Sequence, residues 1–96
     1  MTADEIRSLR ERAGMTQREL ALAMDVSTTS VSRWECGERC PSPHISAFMH
    51  EFKRVLIRLD DWPERRQTLI SRLIRKGATE GARGVLHELM SPNYHQ

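Results

Sequence analysis

Apolar residues recur along the chain with a period near 3.6, and no stretch shows the period of two that a half-buried strand requires. Ile6, Leu9 and Ala13 form one stripe, Leu20, Ala21 and Met24 a second, Val31 and Trp34 a third. Ile45, Phe48, Met49, Phe52, Val55, Leu56 and Leu59 mark one long face that can run unbroken to Asp60. Leu69, Ile70, Leu73 and Ile74 give a fifth stripe. Val85, Leu86, Leu89 and Met90 repeat at the same spacing between residues 79 and 90, where Gly81 and Gly84 weaken a helix. The pattern predicts an all-α fold of short helices, with residues 91–96 as a frayed tail.

Punctuation sharpens the boundaries. Thr2 with Glu5, and Thr16 with Glu19, have the spacing of capping boxes, in which each side chain satisfies a backbone donor that the first turn leaves open. Met15 and Leu20 stand where a hydrophobic staple fixes the angle of chain entry. Ser27 repeats this grammar as an N-cap flanked by Val26 and Val31. Gly14 ends the first helix, Ser42-Pro43 opens the fourth, and Asp61-Trp62-Pro63-Glu64 opens a fifth that Gly77 ends. Between Met24 and Ser27 there is room only for a turn, so residues 16–37 read as a helix-turn-helix.

At 100° per residue, Val31, Trp34 and Glu35 share one face of the second motif helix, spanning about residues 28–36. Thr29, Ser32, Arg33 and Cys36 share the other, with Thr28 at its N-terminal edge. Small polar side chains followed by an arginine suit a helix that enters the major groove. Hydroxyls meet phosphates or thymine methyls there, and arginine grips guanine O6 and N7 bidentately. An ordinary two-helix corner with polar residues facing water would look similar. Arg10 falls within the apolar stripe of the first helix and Glu35 on the inward face of the second motif helix. Two opposite charges so placed suggest a partly buried ion pair, although each could instead snorkel separately to the surface.

The segment LRERAGMTQRELALAMDVSTTSVSRWECGERCPS resembles the Cro/C1-type helix-turn-helix of phage repressors and related bacterial regulators. The likeness rests on Leu9, Arg10, Gly14, Thr16, Gln17, Leu20, Ala21, Val26, Ser27, Val31, Trp34, Glu35, Gly37 and Pro41, and covers Ile6 to about Phe52. It implies a lambda-repressor-like bundle in which Gln17, Ser27 and Ser30 touch phosphates and Thr28, Thr29 and Arg33 face base edges. It also implies that Arg10 pairs with Glu35. Two positions depart from the family pattern: Asp25 stands where glycine is preferred in the turn, and Cys36 where a polar or basic residue is usual.

Composition changes this picture little. Ninety-six residues, 39% hydrophobic and 29% charged, suit one compact domain or a small domain with an accessory segment. No run reaches membrane-span length and the first residues lack a signal-peptide core, so a cytoplasmic protein is expected. Charge is more informative in its distribution. Residues 1–48 carry six arginines against seven acids, and residues 49–96 nine basic residues against six acids. The motif half is therefore no basic patch. Arg18, Arg33 and Arg39, helped by helix N-termini, are the cations available for phosphate, and Ser32 joins the base-reading set on its face.

The reading divides the chain into a DNA-binding domain, residues 1–60, and a helical segment, residues 61–96. The second segment offers more apolar surface than closing the first requires. Leu69, Leu73 and Leu86 are expected at a homodimer interface, since one motif reads few base pairs and a dimer spans half-sites about 34 Å apart. The alternative is that these helices fold back on the fourth within one chain. The arginines between residues 65 and 76 are either a solvated face or a second DNA contact.

Cys36, Cys40, His44 and His50 have permissive pair spacings for zinc. Only three residues separate Cys40 from His44, however, too few for the structure a finger needs between its ligand pairs, so no metal is expected. No nucleophile signature and no phosphate-cradling glycine loop is present, and neither an enzyme nor a cofactor is expected. The sequence thus points to double-stranded DNA as partner and to an autoregulating repressor on an inverted repeat. The runner-up is the antitoxin of a toxin–antitoxin pair, whose surplus surface after Gly37 would hold a protein. A third reading makes the C-terminal helices a docking module for some other protein.

Overall fold

The computed structural model describes residues 1–80, with side chains through residue 75. Five helices follow one another: α1 (Ala3–Arg12), α2 (Gln17–Met24), α3 (Thr28–Glu35), α4 (Pro43–Arg58) and α5 (Pro63–Glu80). The described residues contain no strand, and the fold is all-α. Both capping boxes form. Thr2 Oγ1 accepts from Glu5 N while Glu5 Oε1 accepts from Thr2 N, and Thr16 and Glu19 repeat the exchange. Ser27 and Ser42 cap α3 and α4 through Ser30 N and Ile45 N.

Three helices end alike. After α1, Gly14 N donates to Glu11 O and Met15 N reaches back to Arg10 O. After α2, Asp25 N donates to Leu22 O and Val26 N to Ala21 O; after α3, Gly37 N donates to Trp34 O and Glu38 N to Arg33 O. This is the Schellman pattern, which satisfies carbonyls that the last turn leaves open and needs one left-handed residue. Gly14 (φ 68°) and Gly37 (φ 78°) fill that position without a Cβ to object. Asp25 fills it at φ 58°, ψ 47°, a conformation that aspartate tolerates better than most residues.

One core joins all five helices. Ile6 and Leu9 of α1 share one buried cluster with Leu20, Ala21, Ala23 and Met24 of α2, Val31 and Trp34 of α3, Phe48, Met49, Phe52, Val55 and Leu56 of α4, and Leu69, Ile70 and Leu73 of α5. Phe48 and Phe52 stack, their ring centroids 6.2 Å apart. The small side chains of Ala21 and Ala23 let α2 approach its neighbours closely, and it packs extensively against both α3 and α5.

The fifth helix differs from the sequence expectation in where its apolar face packs and in where it ends. Leu69 and Leu73, expected at a dimer interface, are both fully buried within the single chain, and Ile70 joins them. Their apolar area is spent on the domain's own core, so they have none to offer a second copy. Nor does α5 lie back along α4, since its main partner is α2. The expected boundary at residue 60 therefore coincides with no break in the core. Finally, α5 continues through Gly77 to Glu80. A glycine costs only about 1 kcal/mol inside a helix and ends one only where a left-handed cap is formed. Leu86 and the sixth apolar repeat lie outside the described residues.

Candidate nucleic-acid interface

Glu35 is the one buried charged residue among those described, its side chain 2% exposed. Arg10 meets it with two parallel bonds, Nε to Oε2 at 2.7 Å and Nη2 to Oε1 at 3.0 Å. This fork is the strongest geometry available to a guanidinium and a carboxylate. The remaining Arg10 nitrogen, Nη1, donates to Met15 O at 3.1 Å, so the same residue also holds the α1–α2 turn. Burial pushes the Glu35 carboxyl upward. The hydrogen bonds from Arg10 and Gln17, Arg10's charge and a contribution from Arg7 outweigh it, leaving the carboxyl below its ordinary value. The hydrogen bond to Glu35 correspondingly raises Arg10, against the opposing effect of desolvation.

Two further side chains reach this carboxylate. Gln17 Nε2 approaches Oε1 at 3.4 Å from the first turn of α2. Arg7 lies with Nε 3.6 Å from Oε1, and its Nη2 donates to the backbone carbonyl of Glu35 at 3.1 Å. The sequence reading missed Arg7 because that residue lies off the apolar stripe of α1 and reads as a solvated face. The signal that could have found it is its position three residues before Arg10, which sets both on neighbouring faces of one helix.

With Glu35 anchored inward, the opposite side of α3 faces solvent. Thr28, Thr29 and Arg33 are exposed and Ser32 is half-buried. Ser27 is exposed and Ser30 half-buried, their hydroxyls 3.0 Å apart. Whichever of the two donates, the hydrogen of the other remains available to an anion. Arg18 and Arg39 are exposed, and among the described residues Arg18, Arg33 and Arg39 make no ion pair. Gln17 stands apart from this group, for its amide already engages Glu35 and it is half-buried.

Cys36 and Cys40 are free and exposed, and His44 and His50 are exposed as well. No three His, Cys, Asp or Glu residues among those described gather into a group that could hold a metal ion. No described helix is long and apolar enough to cross a membrane.

Two short helices, a tight turn and an exposed polar face on the second define the class: a helix-turn-helix of the lambda-repressor type. The comparison with protein families agrees. A family model described as helix-turn-helix matches residues 6–49, from the first core residue of α1 into α4. That segment belongs to the helix-turn-helix family in its Cro/C1 form, a DNA-binding regulatory domain. No curated protein and no solved structure was found to match the chain.

Proposed function

We propose that the chain is a sequence-specific repressor that acts as a homodimer on an inverted repeat and regulates its own gene. The observation that carries this reading is the two-sided character of α3. Its inner edge is clamped by the Arg10–Glu35 fork, while Thr28, Thr29, Ser32 and Arg33 line the outer edge. A clamped helix presents those side chains in one geometry, which reduces the ordering cost of binding. Thr28 and Thr29 stand at the N-terminal end that approaches base edges first, and Arg33 sits one turn on as the guanine reader.

Phosphate contacts set the register in this account. Ser27, Ser30, Arg18 and Arg39 supply them, with the N-termini of α2 and α3. Gln17 contributes from the first turn of α2 with the amide hydrogen that its bond to Glu35 leaves unused. Repression is preferred to activation because it needs only occupancy of a promoter. A dimer is preferred because a single motif covers too few base pairs to select a site. Its interface uses surface other than Leu69 and Leu73.

The antitoxin alternative drew its support from the surplus apolar and arginine-rich surface after Gly37. Burial of Leu69, Ile70 and Leu73 in the core removes much of that surplus. The test is titration of the protein with duplex DNA from upstream of its own gene, and with a scrambled duplex, over a salt series. Light scattering on the same sample gives its mass. Preference for the natural duplex by a species of twice the monomer mass is the expected outcome. Equal affinity for both duplexes would refute sequence-specific autoregulation, and a monomeric complex would refute the dimer.

A further inference from the structure

We propose that Arg7 is a positioning residue for DNA reading: it fixes the C-terminal end of α3 against α1 and so sets the tilt of the recognition helix. The inference rests on the proposed role of α3 as reader and adds a second anchor to Arg10. The two arginines do different work. Arg10 engages only the Glu35 side chain within α3, through the fork, and spends its third nitrogen on Met15 O. A carboxylate at the end of a side chain leaves the helix backbone free to rock about its torsions. Arg7 adds a bond to the backbone itself, Nη2 to Glu35 O at 3.1 Å, with Nε 3.6 Å from Glu35 Oε1.

The carbonyl it takes is an open acceptor. Of the last carbonyls of α3, Ser32 O accepts from Cys36 N, Arg33 O from Glu38 N and Arg39 N, and Trp34 O from Gly37 N. The Schellman turn diverts Arg39 N to Arg33 O, which leaves Glu35 O to the guanidinium of Arg7. A cation there also complements the negative end of the helix dipole. The lever is short: Arg33, the proposed guanine reader, lies two residues from the anchored carbonyl, and bidentate recognition of a base tolerates little misplacement.

Arg7 is 48% exposed, whereas the Arg10 side chain is 19% exposed. A pair that open to water contributes little to stability, so the domain folds without it. Geometry is what it supplies.

The experiment first uses the wild-type protein to select a preferred duplex from a random pool. Wild type, Arg7→Ala and Arg7→Lys are then titrated against that duplex and a scrambled one over a salt series, with circular dichroism confirming that each variant is folded. Arg7→Ala is expected to lower the ratio of selected to scrambled affinity roughly three- to tenfold and to leave the salt slope unchanged. Arg7→Lys should fall between, because an ammonium supplies a donor and a charge but cannot span carbonyl and carboxylate together.

Several results would overturn the proposal. A wild-type ratio in the folded variants would do so, and if Arg7→Ala does not fold, a wild-type ratio in Arg7→Lys decides. A salt slope reduced by about one with the ratio intact would make Arg7 a direct phosphate contact instead. Failure of the wild type to select any sequence is a separate outcome, which would remove the reading role of α3 and Arg7's with it.

Discussion

Glu35 shows how much a single side chain can settle. Its carboxylate is buried and gathers Arg10, Gln17 and Arg7, so it ties α1, the start of α2 and the end of α3 together. Replacing it by alanine strands Arg10 in a partly buried site, and the expected loss is about 3–5 kcal/mol. An unchanged denaturation midpoint would contradict that. The pH dependence follows from the direction of the shift. A carboxyl whose folded value is depressed contributes stability in full above its unfolded value, about 4.3, and loses it as pH falls through the lower folded value. Stability measured by urea should therefore be steady from neutral pH to about 5 and fall below about 4.3, with a shallower fall in Glu35→Gln. The pairing of Arg10 with Glu35 was legible because two charges sat on apolar faces. Arg7 was not, since a half-exposed arginine on a polar face looks like any solvated one.

Among the elements, helix starts were easier to read than helix ends. Thr2, Thr16, Ser27 and Ser42 all form the caps their spacing predicts, because an N-cap is a local bargain between a side chain and a backbone donor a few residues away. Gly77 misled because glycine permits a left-handed end without requiring one. Asp25 tests the converse. Asp25→Gly relieves a left-handed Cβ while adding freedom to the unfolded chain, so a net gain of roughly 0.5–1 kcal/mol is expected; a loss of stability would show that the aspartate side chain supports the turn. The apolar stripe of α5 was visible in the sequence, but its partner was not. A stripe reports that a face is buried and carries no address, and the choice between a second chain and α2 depends on the whole packing arrangement.

For the molecule as a whole, α5 is part of the domain. Leu69 and Leu73 are fully buried, and burial of such a side chain is worth roughly 1.5–3 kcal/mol. With Ile70 beside them, the total rivals the net stability of a small domain, about 5–15 kcal/mol. A chain truncated after Asp61 is therefore expected to be largely unfolded by circular dichroism, and Leu73→Glu to unfold rather than merely dissociate. A cooperative transition at the wild-type midpoint in the truncated chain would make α5 an appendage after all. Fixing α5 against α2 in turn steadies the helix that carries Gln17 and Arg18 beside α3, the proposed recognition helix. The most direct test of that recognition role compares wild type with Arg33→Ala on a selected duplex and on variants of it with one base pair changed at a time. Arg33→Ala is expected to lose about 1–3 kcal/mol on the selected site, with preference relaxed at one base pair and kept at the others. Identical preferences at every position would contradict the reading of α3 as the helix that specifies sequence through Arg33.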